Sequence, residues 1–131
     1  MLSHVHIGVN DFARACAFYA PLMAELGLVL KFCDDASSMA GWVAPDAPRP
    51  LFLVGKPYNG EPATPGNGQM VALLAASRDA VMGVHALALK LGATSEGAPG
   101  LRPHYHPDYF GGYLRDPEGN KLSIVCHGPQ A

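Results

Sequence analysis

The segment nearest the C-terminus holds the densest group of side chains that can do chemistry. It reads GLRPHYHPDYFGGYLRDPEGNKLSIVCH and carries three histidines and three tyrosines, among them His104, His106, Tyr109 and Tyr113, together with a strand–turn–strand pattern. The opening stretch SHVHIGVND carries two more histidines, His4 and His6. Imidazole binds metals and carries protons near neutral pH, and phenol hydroxyls donate and accept hydrogen bonds. Three interpretations are open: a metal site, a proton-transfer site and the wall of a pocket.

The composition is that of a globular chain with little surface charge. Of its 131 residues, 49% are hydrophobic and 15% are charged, and the formal net charge is -2. This length suits one domain, residues 1–131, with a substantial core. The low charged fraction suggests that some of the surface is covered by another subunit. The chain has no basic footprint for nucleic acid and no apolar run of about 18 residues for a membrane.

The cysteines and the N-terminus predict a cytoplasmic protein. The chain has an odd number of cysteines, and they show no CxxC spacing: Cys16, Cys33 and Cys126. We therefore expect free thiols in a reducing compartment. The start, MLSHVHIG, lacks the basic region and apolar stretch of a secretion signal.

The first half of the chain has the pattern strand, helix, strands. Val5, Ile7 and Val9 alternate with the two histidines, which predicts a strand with an apolar back and a polar front. Asn10 or Asp11 then caps a helix that ends at a glycine, and a proline inside it should kink or loosen its last turns. Three short strand candidates follow: LVLKFC, SMAGWVA and PLFLVG.

The pattern returns after a Pro- and Gly-rich linker candidate, KPYNGEPATPGNGQ. A shift of 66 residues lays Val5 on Val71, and it lays His4 on Met70. Ser77 should cap a second helix, followed by a polar loop and two strands joined by the turn DPEGN. The sequence thus predicts two modules, about 1–60 and about 68–131, that share one concave sheet.

The repeat, the opening HVHIGVNDFARACAFY and the ending DPEGNKLSIV together resemble the vicinal oxygen chelate superfamily. This is the group of glyoxalases, bleomycin resistance proteins and extradiol dioxygenases. The resemblance spans nearly the whole chain and implies an α+β fold of two βαβββ modules whose curled mixed sheets form a cup, often in a homodimer. It also implies chemistry in that cup, usually on one divalent metal that stabilises an enolate or oxyanion. The segment GLRPHYHPDYFGG looks like that of a glyoxalase-like subgroup.

Three of the four metal positions that the resemblance implies carry no suitable ligand. The first is His4, the second falls within 52–54 (Phe, Leu, Val), the third is Met70 or its neighbour Gln69, and the fourth is Ser123. Apolar side chains cannot ligate, a thioether suits copper(I), and a neutral hydroxyl is a poor ligand. The usual metal site is therefore predicted to be absent. The cofactor is left unknown, with a divalent metal disfavoured.

A substitute metal site is one alternative. His4 and His6 share a strand face, about 6.5–7 Å apart, and His104 or His106 could approach from the later loop. Three imidazoles would hold zinc, iron or nickel. In the other alternative His6 only lines the pocket, and the later histidines fix a loop bracketed by prolines.

Strand alternation predicts which residues line the pocket. Tyr109 and Tyr113 share one face, while Phe110 and Leu114 take the other and should pack on the helices. The predicted lining is aromatic with polar tips: His4, His6, Met70, His104, His106, Tyr109, Tyr113 and Ser123. Trp42 either adds an apolar wall or packs in the core. Such a lining suits a planar small-molecule ligand with one or two oxygens.

Three functions compete. The first is a glyoxalase-like lyase or isomerase with His4, His6 and Tyr109 as catalytic candidates, which the run of histidines favours. The second is a ligand-binding or drug-sequestering protein of the bleomycin-resistance type, which the missing metal ligands favour. The third, extradiol ring cleavage, ranks last because it needs a two-His-one-carboxylate iron site, for which the sequence offers no carboxylate.

Overall fold

The chain folds into two units, each built on one four-stranded sheet. A computed structural model describes residues 1–129. The first unit spans Met1–Pro65, and the second begins at Gly66. The first contains β1 (His4–Gly8), α1 (Phe12–Glu25), β2 (Val29–Asp34), β3 (Met39–Val43) and β4 (Leu51–Gly55). The second contains β5 (Val71–Leu74), α2 (Arg78–Lys90), β6 (Thr94–Leu101), β7 (Phe110–Arg115) and β8 (Lys121–Cys126).

The two units have the same topology. The strand order is β1-β4-β3-β2 in one sheet and β5-β8-β7-β6 in the other. In each sheet the first strand runs parallel to the last, and the remaining neighbours are antiparallel. The predicted α+β fold of two βαβββ modules is confirmed. Neither described helix has the length and apolar character that crossing a membrane requires.

The core of the first unit lies between α1 and one face of its sheet. Asp11 caps the helix by accepting a hydrogen bond from the Arg14 backbone N–H at 3.0 Å. The helix runs through Pro21 to Glu25 and buries Phe18, Tyr19 and Leu22 among other residues. Burial of these apolar side chains stabilises the first unit. The Phe52 ring packs against the Tyr19 ring, with 5.5 Å between the ring centroids.

The core of the second unit is organised in the same way. Ser77 caps α2 by accepting from the Ala80 N–H at 3.0 Å. Val81, Val84 and Ala88 are buried, together with Leu122 and Ile124 of β8. His85 is also buried, and its Nε2 lies 3.1 Å from the backbone oxygen of Tyr113. This histidine is therefore a satisfied core residue.

The prediction of a polar loop after α2 was wrong, because β6 occupies Thr94–Leu101. Two glycines and a proline in TSEGAPGL hide the alternation that identifies a strand. β6 is an edge strand whose pairing with β7 shifts register between Ser95 and Gly97 and again before Gly100. An edge strand tolerates proline and bulges because one side of its backbone needs no partner.

Register assigns the second sheet's residues to two faces. Leu114 is paired with Leu122, and both belong to the face that packs on α2. Tyr113 is paired with Ser123, which in turn is paired with Ala72 of β5. Because directly paired residues share a face, Tyr113 and Ser123 lie on the face opposite α2.

Candidate functional site

A cavity of about 310 Å³ lies in the second unit and is lined largely by tyrosine rings. Its lining residues are Met70, Tyr105, Tyr109, Tyr113 and Lys121, and we call it the tyrosine cavity. Tyr113 belongs to β7 and Lys121 begins β8, whereas Met70 directly precedes β5. Tyr105 and Tyr109 come from the segment between β6 and β7.

That segment, residues 102–109, is a compact loop whose internal hydrogen bonds and ring contacts hold its aromatic side chains in place. The Arg102 N–H donates to the Tyr109 carbonyl at 2.8 Å, and the Tyr105 N–H donates to the Arg102 carbonyl at 3.0 Å. The His104 ring lies 4.2 Å from the Tyr105 ring, which lies 4.8 Å from the Tyr109 ring, centroid to centroid. These tilted ring contacts, with interplanar angles of 42° and 53°, hold the rings in a row.

Three tyrosine hydroxyls meet at Tyr113. Its Oη lies 3.1 Å from the Tyr109 Oη, and it also hydrogen-bonds the Tyr105 hydroxyl. Burial raises the pKa of Tyr113 far above its usual range, and the hydrogen bonds with Tyr109 and Tyr105 raise it further. Tyr113 is therefore a neutral hydrogen-bond donor at physiological pH and not a base.

Gly111 allows the Tyr109 ring to lie against the sheet. A Cβ at this position would approach the Tyr109 ring to 3.0 Å, which is tighter than most Cβ contacts in proteins. Gly97 has the same relation to Tyr113, at 3.3 Å from its ring. Glycine in a strand interior weakens the strand. Its presence at these two positions is explained by the tyrosine rings, which pack where a side chain would stand.

Two cations lie against the Tyr113 ring. The Lys121 Nζ is 5.7 Å from the ring centroid, and the Arg102 Cζ is 5.6 Å from it. Both distances are in the range where a cation is attracted to an aromatic face. Arg102 is also tied down, since it donates to the Ala98 carbonyl at 2.8 Å.

His106 supports Tyr109 from outside the cavity. Its Nε2 lies 2.8 Å from the Nδ1 of His127, and the Tyr109 ring meets both imidazoles edge to face. The Asp108 N–H donates to the His106 Nδ1 at 3.2 Å, so the proton of a neutral His106 sits on Nε2 and is donated to His127. Both His106 nitrogens are thus engaged, and His106 is not among the lining residues.

The remaining predicted residues of the second unit differ in exposure. Met70 lines the cavity and is 44% exposed. His104 is exposed and stacks on Tyr105. Ser123 lies on the same face as Tyr113 but is fully buried, and its hydroxyl has no hydrogen-bond partner among residues 1–129. Ligand contacts by His104, His106 and Ser123 stay predictions.

The predicted residues of the first unit lie on its own sheet. His4 and His6 are exposed on β1, and the Ser3 Oγ lies 2.9 Å from the His4 Nδ1. Partial burial lowers the pKa of His6, and the neighbouring His4 lowers it further. Trp42 is only 3% exposed and is paired with Phe52 in the core, so the core-packing alternative describes it.

A second cavity, of about 240 Å³, lies in the first unit. It is bordered by Lys56 and by the turn that follows β4, and no aromatic ring lines it. The Asn10 side chain accepts from the Ala63 N–H at 2.7 Å and so holds this turn. The tyrosine cavity has the more specific lining for a planar ligand.

The residues present do not fit the divalent metal that the resemblance implies. In the first sheet His4 is paired with Leu51, and His6 with Leu53, so neither has a ligating neighbour on β4. Across residues 1–129, no three His, Cys, Asp or Glu side chains are grouped as a metal site requires. The alternative cluster of His4, His6 and His104 draws on both units and stays a prediction.

The comparison with solved structures decides the family. A glyoxalase/bleomycin resistance protein from Albidiferax ferrireducens T118 is 33% identical, with a TM-score of 0.85, over 96% of this chain and 98% of that one. The chain belongs to the glyoxalase/bleomycin resistance protein family. The family resemblance is confirmed, and with it the order of strands and helices that positions the cavity.

More distant family structures share the fold alone. A glyoxalase/bleomycin resistance protein/dioxygenase family enzyme from Burkholderia phytofirmans PsJN is 22% identical, with a TM-score of 0.72, over 96% of this chain and 98% of that one. A glyoxalase/dioxygenase from Nostoc punctiforme is 18% identical, with a TM-score of 0.70, over 98% and 92%. No protein-family model and no curated protein matches the chain.

Proposed function

We propose that this family member binds a small, planar, oxygenated molecule in the tyrosine cavity. The observation that carries this proposal is the meeting of three phenol hydroxyls at one wall of an aromatic cavity. The volume of about 310 Å³ lies at the small end of ligand pockets. A compound of one or two fused rings is therefore the expected size.

The hydroxyls leave hydrogen-bonding capacity for such a ligand. The bonds from Tyr113 to Tyr109 and to Tyr105 use two of the three hydroxyl protons. One proton and several lone pairs stay free, because each phenol both donates and accepts. The ligand's oxygen would take that proton, while its planar body packs on the rings and on the adaptable Met70 side chain.

A binding experiment with the neutral probe 2-naphthol tests this proposal. NMR spectra of the full chain, with tyrosine rings labelled, should show shifts at Tyr105, Tyr109 and Tyr113 as 2-naphthol is added. The double variant Tyr109→Phe/Tyr113→Phe should bind more weakly, by about tenfold for the lost hydrogen bonds. Tyr58→Phe, which changes a fully exposed ring, is the matched control. Shifts confined to other residues would rule the site out.

Lyase or isomerase chemistry is the second candidate, and the phenol hydroxyls grouped in the cavity favour it. A hydroxyl that stays protonated can stabilise an oxyanion, and losing one such donor costs about 10²-fold in rate. His4, His6 and Tyr109 remain the predicted catalytic residues.

Exchange of carbon-bound protons tests the lyase or isomerase. Hydroxyacetone in D₂O is the probe, and the protein should accelerate exchange next to its carbonyl. Tyr113→Phe should lose about 10²-fold of that acceleration. Exchange no faster than in buffer alone would reject this candidate and leave binding as the function.

We also propose a cytoplasmic homodimer. Exposed apolar side chains support the second subunit, since Leu74 is 69% exposed and Leu30 is 56% exposed. The three cysteines are free, as expected in a reducing compartment. Burial and the nearby Cys33 raise the pKa of Cys16 to about 11, which lowers the reactivity of that one thiol. Light scattering should give twice the chain mass of 13.8 kDa. A monomer at micromolar concentration would contradict the dimer.

A further inference from the structure

We infer that the ligand of the tyrosine cavity is a planar organic carboxylate, and that Lys121 is its charge partner. This inference rests on the proposed function, because it specifies the chemical class of the molecule that the cavity holds. Lys121 was not among the residues that the sequence predicted to line the pocket.

Lys121 lines the cavity and, within the described part of the chain, forms no ion pair of its own. It is the first residue of β8, and its Nζ lies over the Tyr113 ring. Among residues 1–129, the ion pairs are Arg78 with Asp108 and Arg115 with Glu96. The ion pair of Glu96 is with Arg115, whose hydrogen bond lowers the pKa of Glu96, and the Lys121 charge helps to lower that pKa further. The Lys121 ammonium therefore has donors free for an anion.

Arg102 adds positive charge but is less able to bind the ligand itself. Its guanidinium lies on the Tyr113 ring and donates to the Ala98 carbonyl, and it is not among the lining residues. Two unpaired cations on one tyrosine contrast with the net charge of -2 of the whole chain. A local positive potential attracts and holds an anion.

The tyrosines reinforce the same preference. The one hydroxyl proton left by the internal bonds and the Lys121 ammonium are both donors, so this side of the cavity suits a group that only accepts. An ionised carboxylate is such a group, and its hydrogen bonds to charged or polar donors are about twice as strong as neutral ones. A neutral amide of the same shape would place its NH₂ group, a hydrogen-bond donor, against the donors of the cavity.

The experiment compares 2-naphthoate with its neutral amide, 2-naphthamide. Titrations of the full chain are followed by the ring signals of the three cavity tyrosines. The carboxylate should bind about tenfold more tightly than the amide, the value expected for one hydrogen bond to a charged group. Lys121→Met removes the charge and keeps a long unbranched side chain, so it should abolish the tenfold preference. Lys31→Met, on an exposed residue of β2, should retain it.

The outcomes separate this inference from the proposed function. If both probes shift the cavity tyrosines with equal affinity, the ligand is not selected as an anion, yet the cavity still binds planar molecules. If the preference survives in Lys121→Met, Lys121 is not the charge partner and the inference is overturned. If neither probe nor 2-naphthol reaches the tyrosine rings, the inference and the proposed function fail together.

Discussion

Tyr113 carries the largest electrostatic consequence of any single residue in the cavity. Its pKa is raised by burial and by two tyrosine neighbours, so the folded chain keeps a phenol proton that the unfolded chain loses near pH 10. A group with a raised pKa stabilises the fold below its unfolded pKa, and that stability is lost as pH rises through the folded value. The free energy of unfolding should therefore fall above about pH 10.

Denaturation in urea between about pH 9 and 12 measures this effect. The loss of stability should be smaller in Tyr113→Phe, because phenylalanine has no proton to release. Tyr58→Phe, at a fully exposed position, should follow the wild type. Equal pH profiles for wild type and Tyr113→Phe would show that the Tyr113 proton is not held by the fold.

Sequence alternation identified only part of the cavity. Tyr109 and Tyr113 were predicted to share a face, and both line the cavity. Tyr105 was missed because loop residues follow no period, and its orientation depends on tilted ring contacts with His104 and Tyr109. Lys121 was missed although positions 121 and 123 of a strand share a face, a signal that the sequence does contain.

Close contact between β7 and the helix side of the sheet makes Gly112 sensitive to substitution. A Cβ there would lie 3.0 Å from the His85 ring, 3.2 Å from the Pro99 ring and 3.3 Å from the Pro99 nitrogen. Backbone cannot move aside cheaply, so Gly112→Ala should destabilise the chain by about 1–3 kcal/mol. Gly83 in α2 has open space around it, so Gly83→Ala should stabilise by about 0.5–1 kcal/mol. Thermal or urea unfolding of both variants checks the opposite signs.

Arg78 ties the loop at 102–109 to α2. It contacts Asp108 at 3.6 Å, and its guanidinium lies 5.4 Å from the Phe110 ring centroid. A cation in the first turn of a helix opposes the helix dipole, so tertiary contacts must account for its position. Each contact is worth about 0.5–1 kcal/mol, enough to keep the loop closed but little of the whole stability.

Hydrogen exchange should detect the loss of this tie. In Arg78→Ala the amides of Tyr105 and Tyr109, which donate within the loop, should exchange about fivefold faster. Arg14→Ala, at an exposed position of α1, should leave them unchanged. Unchanged exchange in Arg78→Ala would mean that the aromatic row alone holds the loop.

At the level of secondary-structure elements, the sequence predicted the helices and strands that have a pattern in their own residues. Nine of the ten elements were predicted as helices or strand candidates from the sequence, and β6 was not. β6 forms because β7 offers it a partner, and two register shifts absorb its glycines and proline. Tertiary pairing of this kind leaves no pattern in the strand's own residues.

The whole molecule is a repeat in which topology is shared and side-chain chemistry is not. Both sheets have the same strand order, with β5 taking the place of β1. His4 on one strand corresponds to Met70 before the other, and the closing strand β8 carries Ser123 at the fourth of the metal positions that the resemblance implies. The repeat made the fold predictable, whereas the ligand site depends on contacts within the second unit that the repeat does not show.

Because the two halves do not supply a suitable set of metal ligands, we expect the stability of the protein to be independent of divalent metal. The donors left at the expected positions are one imidazole, one thioether and one fully buried hydroxyl, a set that neither zinc nor manganese favours. Elemental analysis after exposure to zinc, nickel, manganese and iron(II) should therefore give less than one equivalent, and EDTA should not lower the unfolding temperature. The control is His4→Ala, which should match the wild type in both measurements. One equivalent of metal that disappears in His4→Ala would instead establish a histidine site and return metal-assisted chemistry to this chain.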